Sequence, residues 1–366
     1  MSNLYAHLLN AFLLTIVFIM FLRRVAPELR LVDLPDPRKQ HEGAVPLCGG
    51  LSIFTAFMLT AIGFSDEMRI PWNMEVGLVL LVLVGAADDR WRLSARSRLC
   101  AELAAAIILV AFASNSQINL GTIITENPWL LSSLAGAILS VFFLVGTVNA
   151  FNMLDGIDGL AGASAAAALF WLALFSVHSG DGALALQELT VLAAVIGFLV
   201  FNMRHPWRPR ASVFMGDAGS VMLGAVLAIA VIRLANGENG IPFATLLWVL
   251  AVPIVDTLSL IARRTMARRS PFSADRQHLH HLLVDMGVSH ARAAGVLTAA
   301  TVVCGGVGYI GLIAGVRDGV MAFGLLVPFF AHTAFVIFAN GHIVPATRGR
   351  VGQQPQTFPS ILGEKR

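Results

Sequence analysis

Charge is what this 366-residue chain has least of: 13% of its residues are charged, where soluble proteins carry about 25%. Without that polar cover, a 57% hydrophobic composition would leave large apolar patches facing water. A set of soluble domains is therefore excluded, and the same figures exclude intrinsic disorder. Cysteine is sparse as well. Cys48, Cys100 and Cys304 lie far apart with no CxxC pair, which rules out a disulfide framework; they read as small apolar fillers. No repeat of fixed period is present. A concentrated basic tract is missing too. The net charge is +3, and the basic residues fall in short clusters between apolar runs. That distribution suits a membrane anchor and leaves no footprint for nucleic acid.

What the chain has is apolar length. A helix needs about 20 apolar residues to cross the hydrocarbon core. Eleven runs are candidates, near 4–22, 47–64, 74–87, 99–114, 131–151, 160–178, 185–203, 219–235, 243–262, 293–314 and 319–339. The first resembles a signal peptide in length, but it lacks a basic n-region and is followed by Arg23-Arg24 rather than a cleavage site, so it reads as a retained span. Eleven spans create two sets of loops. The set after spans 1, 3, 5, 7 and 9, together with the C-terminus, holds 22 of the 25 Lys and Arg residues. The other holds Arg69, Arg233 and Arg317. The positive-inside rule then predicts an all-α polytopic membrane protein with a periplasmic N-terminus and a cytoplasmic C-terminus. The predicted organisation is one transmembrane unit over 1–342, with cytoplasmic loops at 23–46, 88–98, 151–162, 204–220 and 263–292. A polar tail, 343–366, is expected to be disordered.

Acidic residues are few enough that their placement is informative, and the clusters fall on the predicted cytoplasmic side. Asp88-Asp89 follow the third span in GAADDRWR, and the fifth is followed by NAFNMLDGIDGLAG with Asn149, Asn152, Asp155 and Asp158. The seventh leads to FMGDAGS with Asp217, and the ninth to Arg263, Arg264 and DRQHLHHL with His278, His280 and His281. After the first comes PDPRKQHEGAVPLCGG with Lys39 and His41. Carboxylates with an amide form a hard oxygen set suited to Mg²⁺ or Mn²⁺. The i, i+3 spacing of Asp155 and Asp158 predicts a shared face if the segment is helical. Asp217 stands at a small-residue turn resembling a helix N-cap. Acidic oxygens, nearby Arg and His, and Gly-rich turns are the equipment of phosphoryl transfer.

Plainer readings stand beside these. Asp88-Asp89 could simply end a span at the interface, and Asp155 and Asp158 could be solvated. HLHH could bind zinc, yet no cysteine is near and no third ligand is evident. Many arginines are accounted for by the positive-inside rule. Asp256, about two turns inside the ninth span, is costly there and is expected to pair with Arg263 or Arg264. His332 in the last span reads as a hydrogen-bonded packing residue. A transporter would place polar residues near the bilayer midplane on broken helices, and these carboxylates lie at its edge instead.

Taken together, GAADDR, NAFNMLDGIDGLAG, VFMGDAGS and SPFSADRQHLHHLL resemble the polyprenyl-phosphate N-acetylhexosamine-1-phosphate transferases, the glycosyltransferase 4 family. The likeness runs from PDPRKQHEGAVPLCGG to the histidine segment. HLHH in place of HHH resembles the branch that uses UDP-GlcNAc rather than UDP-MurNAc-pentapeptide. The resemblance implies transfer of GlcNAc-1-phosphate from UDP-GlcNAc to undecaprenyl phosphate in the bacterial inner membrane, starting O-antigen lipopolysaccharide or enterobacterial common antigen lipids. Another UDP-N-acetylhexosamine, a 6-deoxyhexosamine or GalNAc, is the alternative. It further implies Mg²⁺ or Mn²⁺ at Asp217 with Asn152, and catalytic roles for Asp88, Asp89, Asp155 and Asp158. Arg264, His278, His280 and His281 would bind the sugar diphosphate, with Lys39 and His41 as weaker phosphate contacts. Membrane lipids are the expected surroundings, and a homodimer is compatible with the pattern.

Overall fold

The computed structural model describes the chain except residues 1, 35–42, 65–67, 69, 112–116, 124–125, 238, 267, 269–277 and 349–366. Fourteen α-helices are present among the described residues: α1 (Ser2–Val25), α2 (Gly49–Gly63), α3 (Trp72–Trp91), α4 (Ala95–Ala111), α5 (Ser133–Leu154), α6 (Leu160–His178), α7 (Gly182–Asn202), α8 (Asp217–Leu234), α9 (Phe243–Leu247), α10 (Ala251–Met266), α11 (Leu279–Asp285), α12 (His290–Ile313), α13 (Asp318–Gly324) and α14 (Leu326–Arg348). A 3₁₀ turn, Trp248–Leu250, joins α9 to α10. A helix occupies each of the eleven expected apolar runs. Eight of these segments are long and apolar enough to cross a membrane. The other three differ for physical reasons: α2 has 15 residues, α4 has 17, and α3 includes Glu75, Asp88, Asp89 and Arg90. The protein is an all-α polytopic membrane protein apart from a two-residue hairpin, β1 (Val32–Asp33) with β2 (Val45–Pro46). α14 continues six residues past the expected boundary at 342.

Helix ends follow local chemistry. The side chains of Ser132, Asp181 and Ser289 accept backbone N–H groups of α5, α7 and α12, satisfying donors that the first turn leaves orphaned. The bundle is organised around α8. Its apolar window is 83% buried, against 17% for Asp318–Ala339, so α8 is central and the last segment lies at the periphery. α8 packs on α5, α3, α2 and α6, and small residues allow the approach. A Cβ on Gly50 would fall 2.2 Å from Gly219 Cα, and one on Gly85 2.5 Å from Ala218 Cα. Both contacts lie at the start of α8, beside Asp217. The N-terminus of α2 is stitched to the same place: Gly49 and Gly50 donate backbone N–H groups to the carbonyls of Phe214 and Met215 at 3.0 and 2.8 Å.

Candidate active site

A cavity of about 900 Å³ opens where alternate helix ends meet. Its walls come from the segments after α1, α3, α5 and α7 and those before α2, α8 and α12. The sequence expectation that these loops share one end of the bundle has a direct geometric counterpart. Asp88, Asp89, Asp155, Asp158 and Asp217 all line it, with Arg30, Arg92, Arg204, His281 and His290. Its size falls within the about 300–1,000 Å³ typical of ligand sites.

Each carboxylate is held differently. Asp89 accepts the backbone N–H groups of Asp217 and Ala218 at 2.9 and 3.3 Å, so it occupies the N-terminus of α8, where anions are favoured. Asp217 is the first residue of that helix, and Gly216, at φ +75°, takes the cap position expected of Asp217. Asp88 accepts from Arg98 Nη1 at 2.7 Å and from Leu93 N–H at 2.6 Å. Asn152 donates Nδ2 to Asp217 Oδ1 at 2.7 Å, and Arg98 lies 3.9 Å from the other oxygen. Asn152, Asp88, Arg98, Glu102 and Asp217 surround a recess of about 10 Å³ beside the main cavity, room for about one water.

The DGIDG segment departs from the helical expectation. Residues 155–159 form a turn between α5 and α6, because Gly159 adopts φ +83°, a conformation glycine reaches without strain. Asp155 and Asp158 therefore diverge. Asp158 accepts Arg204 Nε at 2.7 Å and the Ala211 N–H at 3.0 Å, tying the turn to the segment before α8. Among the described residues no group hydrogen-bonds the Asp155 carboxylate, and burial, with Asp217 and Asp158 nearby, pushes it up to about 7. Asp89, two residues past the apolar run 74–87, is likewise pushed up to about 7 by burial despite its two backbone donors.

The histidines separate. His281 lines the cavity, whereas His278 is buried with Nδ1 2.8 Å from Asp256 Oδ2. Asp256 is thus held by His278 and His332 rather than by the expected Arg263 or Arg264, because the start of α11 and one residue of α14 reach it from outside its own helix. His280 is buried against Gly156, where a Cβ would meet its Nε2 at 2.1 Å. Arg264 is buried near the C-terminal end of α10. Lys39 and His41 lie outside the described residues. Sequence reading left Arg98 and Arg204 among the topology charges and did not single out Glu102, which accepts from Asn149 Nδ2. A spacing of ten residues from Asp88 to Arg98 carries no periodic signal; only the turn between α3 and α4 brings them together.

The donor set fits a hard divalent cation in one respect and limits it in another. Among the described residues no group of three His, Cys, Asp or Glu side chains is arranged to enclose a metal. Mg²⁺, however, commonly takes one or two carboxylates and fills its shell with water and substrate phosphates. Asp217, within hydrogen-bonding reach of Asp88, and the unbonded Asp155 supply oxygens of that kind. Crowded carboxylates that retain protons near neutrality are also what a cation would relieve. Because a bound cation displaces such protons, Mn²⁺ affinity is expected to fall about tenfold per pH unit below about pH 7 for each proton released. Titration of the purified protein by manganese EPR between pH 6 and 8 checks this. A flat profile would show that neither Asp89 nor Asp155 is coupled to the cation.

Comparison with known proteins shows the family of the chain. Residues 71–235 match the profile described as glycosyl transferase family 4, a stretch running from α3 to the end of α8. The chain is 34% identical over 308 residues to an undecaprenyl-phosphate alpha-N-acetylglucosaminyl 1-phosphate transferase of Salmonella typhi, covering 83% of this chain and 82% of that one. The chain belongs to glycosyl transferase family 4. The protein of the same description from Escherichia coli (strain K12) is 32% identical over 83% of this chain and 82% of its own length. That of Haemophilus influenzae is 31% identical over 93% and 94%. This family 4 member is therefore a membrane-embedded sugar-phosphate transferase. All five cavity aspartates, Asp88, Asp89, Asp155, Asp158 and Asp217, lie inside the matched stretch 71–235.

Proposed function

We propose that the enzyme transfers GlcNAc-1-phosphate from UDP-GlcNAc to undecaprenyl phosphate, giving undecaprenyl-diphospho-GlcNAc and UMP. The observation carrying this reading is the convergence of five aspartates and several cationic side chains on one cavity at the ends of membrane-length helices. A polyprenyl chain requires lipid-facing helices, and a nucleotide sugar requires a polar pocket; a polar cavity at the ends of membrane-length helices supports both requirements. In the reaction, a phosphate oxygen of undecaprenyl phosphate bonds to the β-phosphorus of UDP-GlcNAc. The bond from that phosphorus to the bridging oxygen breaks, and UMP leaves with the electron pair. An alkyl phosphate loses its second proton near pH 6, so the nucleophile needs no strong base. Asp88 and Asp89, each fixed by donors, serve to orient the lipid phosphate. Arg204 and His281, which line the cavity, are assigned to the diphosphate oxygens, and Asp155 with Asp158 to the nucleotide. Mg²⁺ or Mn²⁺, held by Asp217 with Asn152 beside it, would neutralise charge on the diphosphate as the leaving group departs.

The proposed setting is the bacterial inner membrane, with eleven spans and the cavity facing the cytoplasm, at the first lipid-linked step of O-antigen or enterobacterial common antigen synthesis. Incubating membranes with undecaprenyl phosphate and labelled UDP-sugars tests the reaction. UMP and a lipid diphosphate bearing GlcNAc are expected. A lipid product bearing only GalNAc or a 6-deoxyhexosamine would replace the sugar while keeping the chemistry. For the topology, reporter fusions after residues 95, 210 and 285 should report cytoplasm, and fusions near 122 and 238 the outside. A periplasmic signal at 285 would separate the histidines from the carboxylates and break the topology.

A further inference from the structure

Asp256 lies inside the apolar segment Phe243–Met266 and is 3% exposed. A carboxylate at such a position requires donors, and three reach it. His278 Nδ1 stands 2.8 Å from Oδ2. The Leu279 backbone N–H and His332 Nε2 approach Oδ1 at 3.1 and 2.9 Å. His278 and Leu279 begin α11, while His332 belongs to α14. The local cap position of α11 provides no side-chain acceptor, and seven residues are too few to be helical alone. Asp256 therefore supplies from α10 the acceptor that a local Ser or Asp otherwise gives, and His332 braces it from the opposite side.

The contact continues toward the cavity. The His278 and His280 rings lie 5.8 Å apart with planes 7° from parallel, and the His280 and His281 centroids are 4.2 Å apart. His280 in turn abuts Gly156, beside Asp155. His281 and Val284 of α11 line the cavity; Asp256 and His332 do not. We propose that Asp256 and His332 are positioning residues, a buried strut from α14 through α10 that sets α11, and with it His281, for the sugar-nucleotide donor. This rests on the reading above that His281 faces the donor.

The test uses the full chain purified in detergent. His332→Phe removes the donor to Asp256; His332→Gln keeps an N–H near the position of Nε2. His332→Phe is expected to raise KM for the UDP-sugar about tenfold while leaving KM for undecaprenyl phosphate within about twofold, and His332→Gln should recover most of the loss. A merely structural role would lower the amount of folded protein without separating the two KM values. A second readout needs no turnover. In a Cys100→Ser, Cys304→Ser background, Val284→Cys is labelled with a water-soluble maleimide, and His332→Phe should speed labelling several-fold while His332→Gln does not. If His332→Phe fails to accumulate, Asp256→Asn takes its place with the same expectation. Unchanged labelling, or KM values that move together, would overturn the strut. If the parent turns over no UDP-sugar, the functional reading fails and the labelling result alone decides the strut.

Discussion

Asp217→Asn is expected to lower UMP release by about two to four orders of magnitude while the protein accumulates normally. The substitution keeps size and one carbonyl oxygen, so Asn152 Nδ2, 2.7 Å from Oδ1 in the parent, retains an acceptor. What it removes is charge. A neutral amide oxygen holds a divalent cation less strongly than the carboxylate it replaces, and a bound metal contributes several kcal/mol to the stabilisation of phosphoryl transfer, where about 1.4 kcal/mol is a factor of ten. Folding should not suffer, because Asp217 is crowded by Asp88 and Asp89 and loses a repulsion rather than a support. Its side chain is 34% exposed, so no packed core is disturbed. EDTA should abolish parental activity until Mg²⁺ or Mn²⁺ is restored, and Asp155→Asn should also impair turnover. The measurement is UMP release against metal concentration in matched membranes. Parent-like turnover and metal dependence in Asp217→Asn would move the cation to Asp88, Asp89 or Asp155.

Selection between donors should be the second large effect. UDP-GlcNAc is expected to be used in preference to UDP-MurNAc-pentapeptide by about a hundredfold to a thousandfold in kcat/KM. The pentapeptide brings free carboxylates toward a cavity already lined by five aspartates. Two unit charges about 4 Å apart repel by about 4 kcal/mol at an effective dielectric near 20, and greater separation or salt reduces this. The expectation allows for that reduction. Competition between the two donors at equal concentration, with the lipid products resolved by mass spectrometry, gives the ratio directly. Comparable amounts of the two products would refute the assignment drawn from HLHH.

The eleven helical segments were legible in the sequence because burying apolar length is a local property. Runs such as 160–178 need no knowledge of their neighbours to be recognised, and α6 spans those same residues. The grouping of the acidic loops was legible too, since alternation of spans dictates which connections share an end. Local pattern failed where one segment answers to another. Asp155 and Asp158 have helical spacing, yet Gly159 at positive φ turns the chain, so that Asp158 pairs with Arg204 while the Asp155 carboxylate has no hydrogen-bond partner among the described residues. His278 and His281 share a spacing as well, but His278 turns to Asp256 and His281 to the cavity.

The sequence by itself determined that this is a helical membrane protein, which loops carry the aspartates that line its cavity, and which family its motifs resemble, because hydrophobic length, charge bias and residue type act through the bilayer and through local chemistry. Only the tertiary structure decided how each aspartate is held. The pairing of Asp88 with Arg98, the seat of Asp89 on the N-terminus of α8, and the bracing of Asp256 by His332 join residues 10, 128 and 76 positions apart. Such contacts depend on helix packing at Gly50, Gly85 and Gly219, where backbones approach more closely than any Cβ would permit, and no periodicity along the chain encodes which helices meet there.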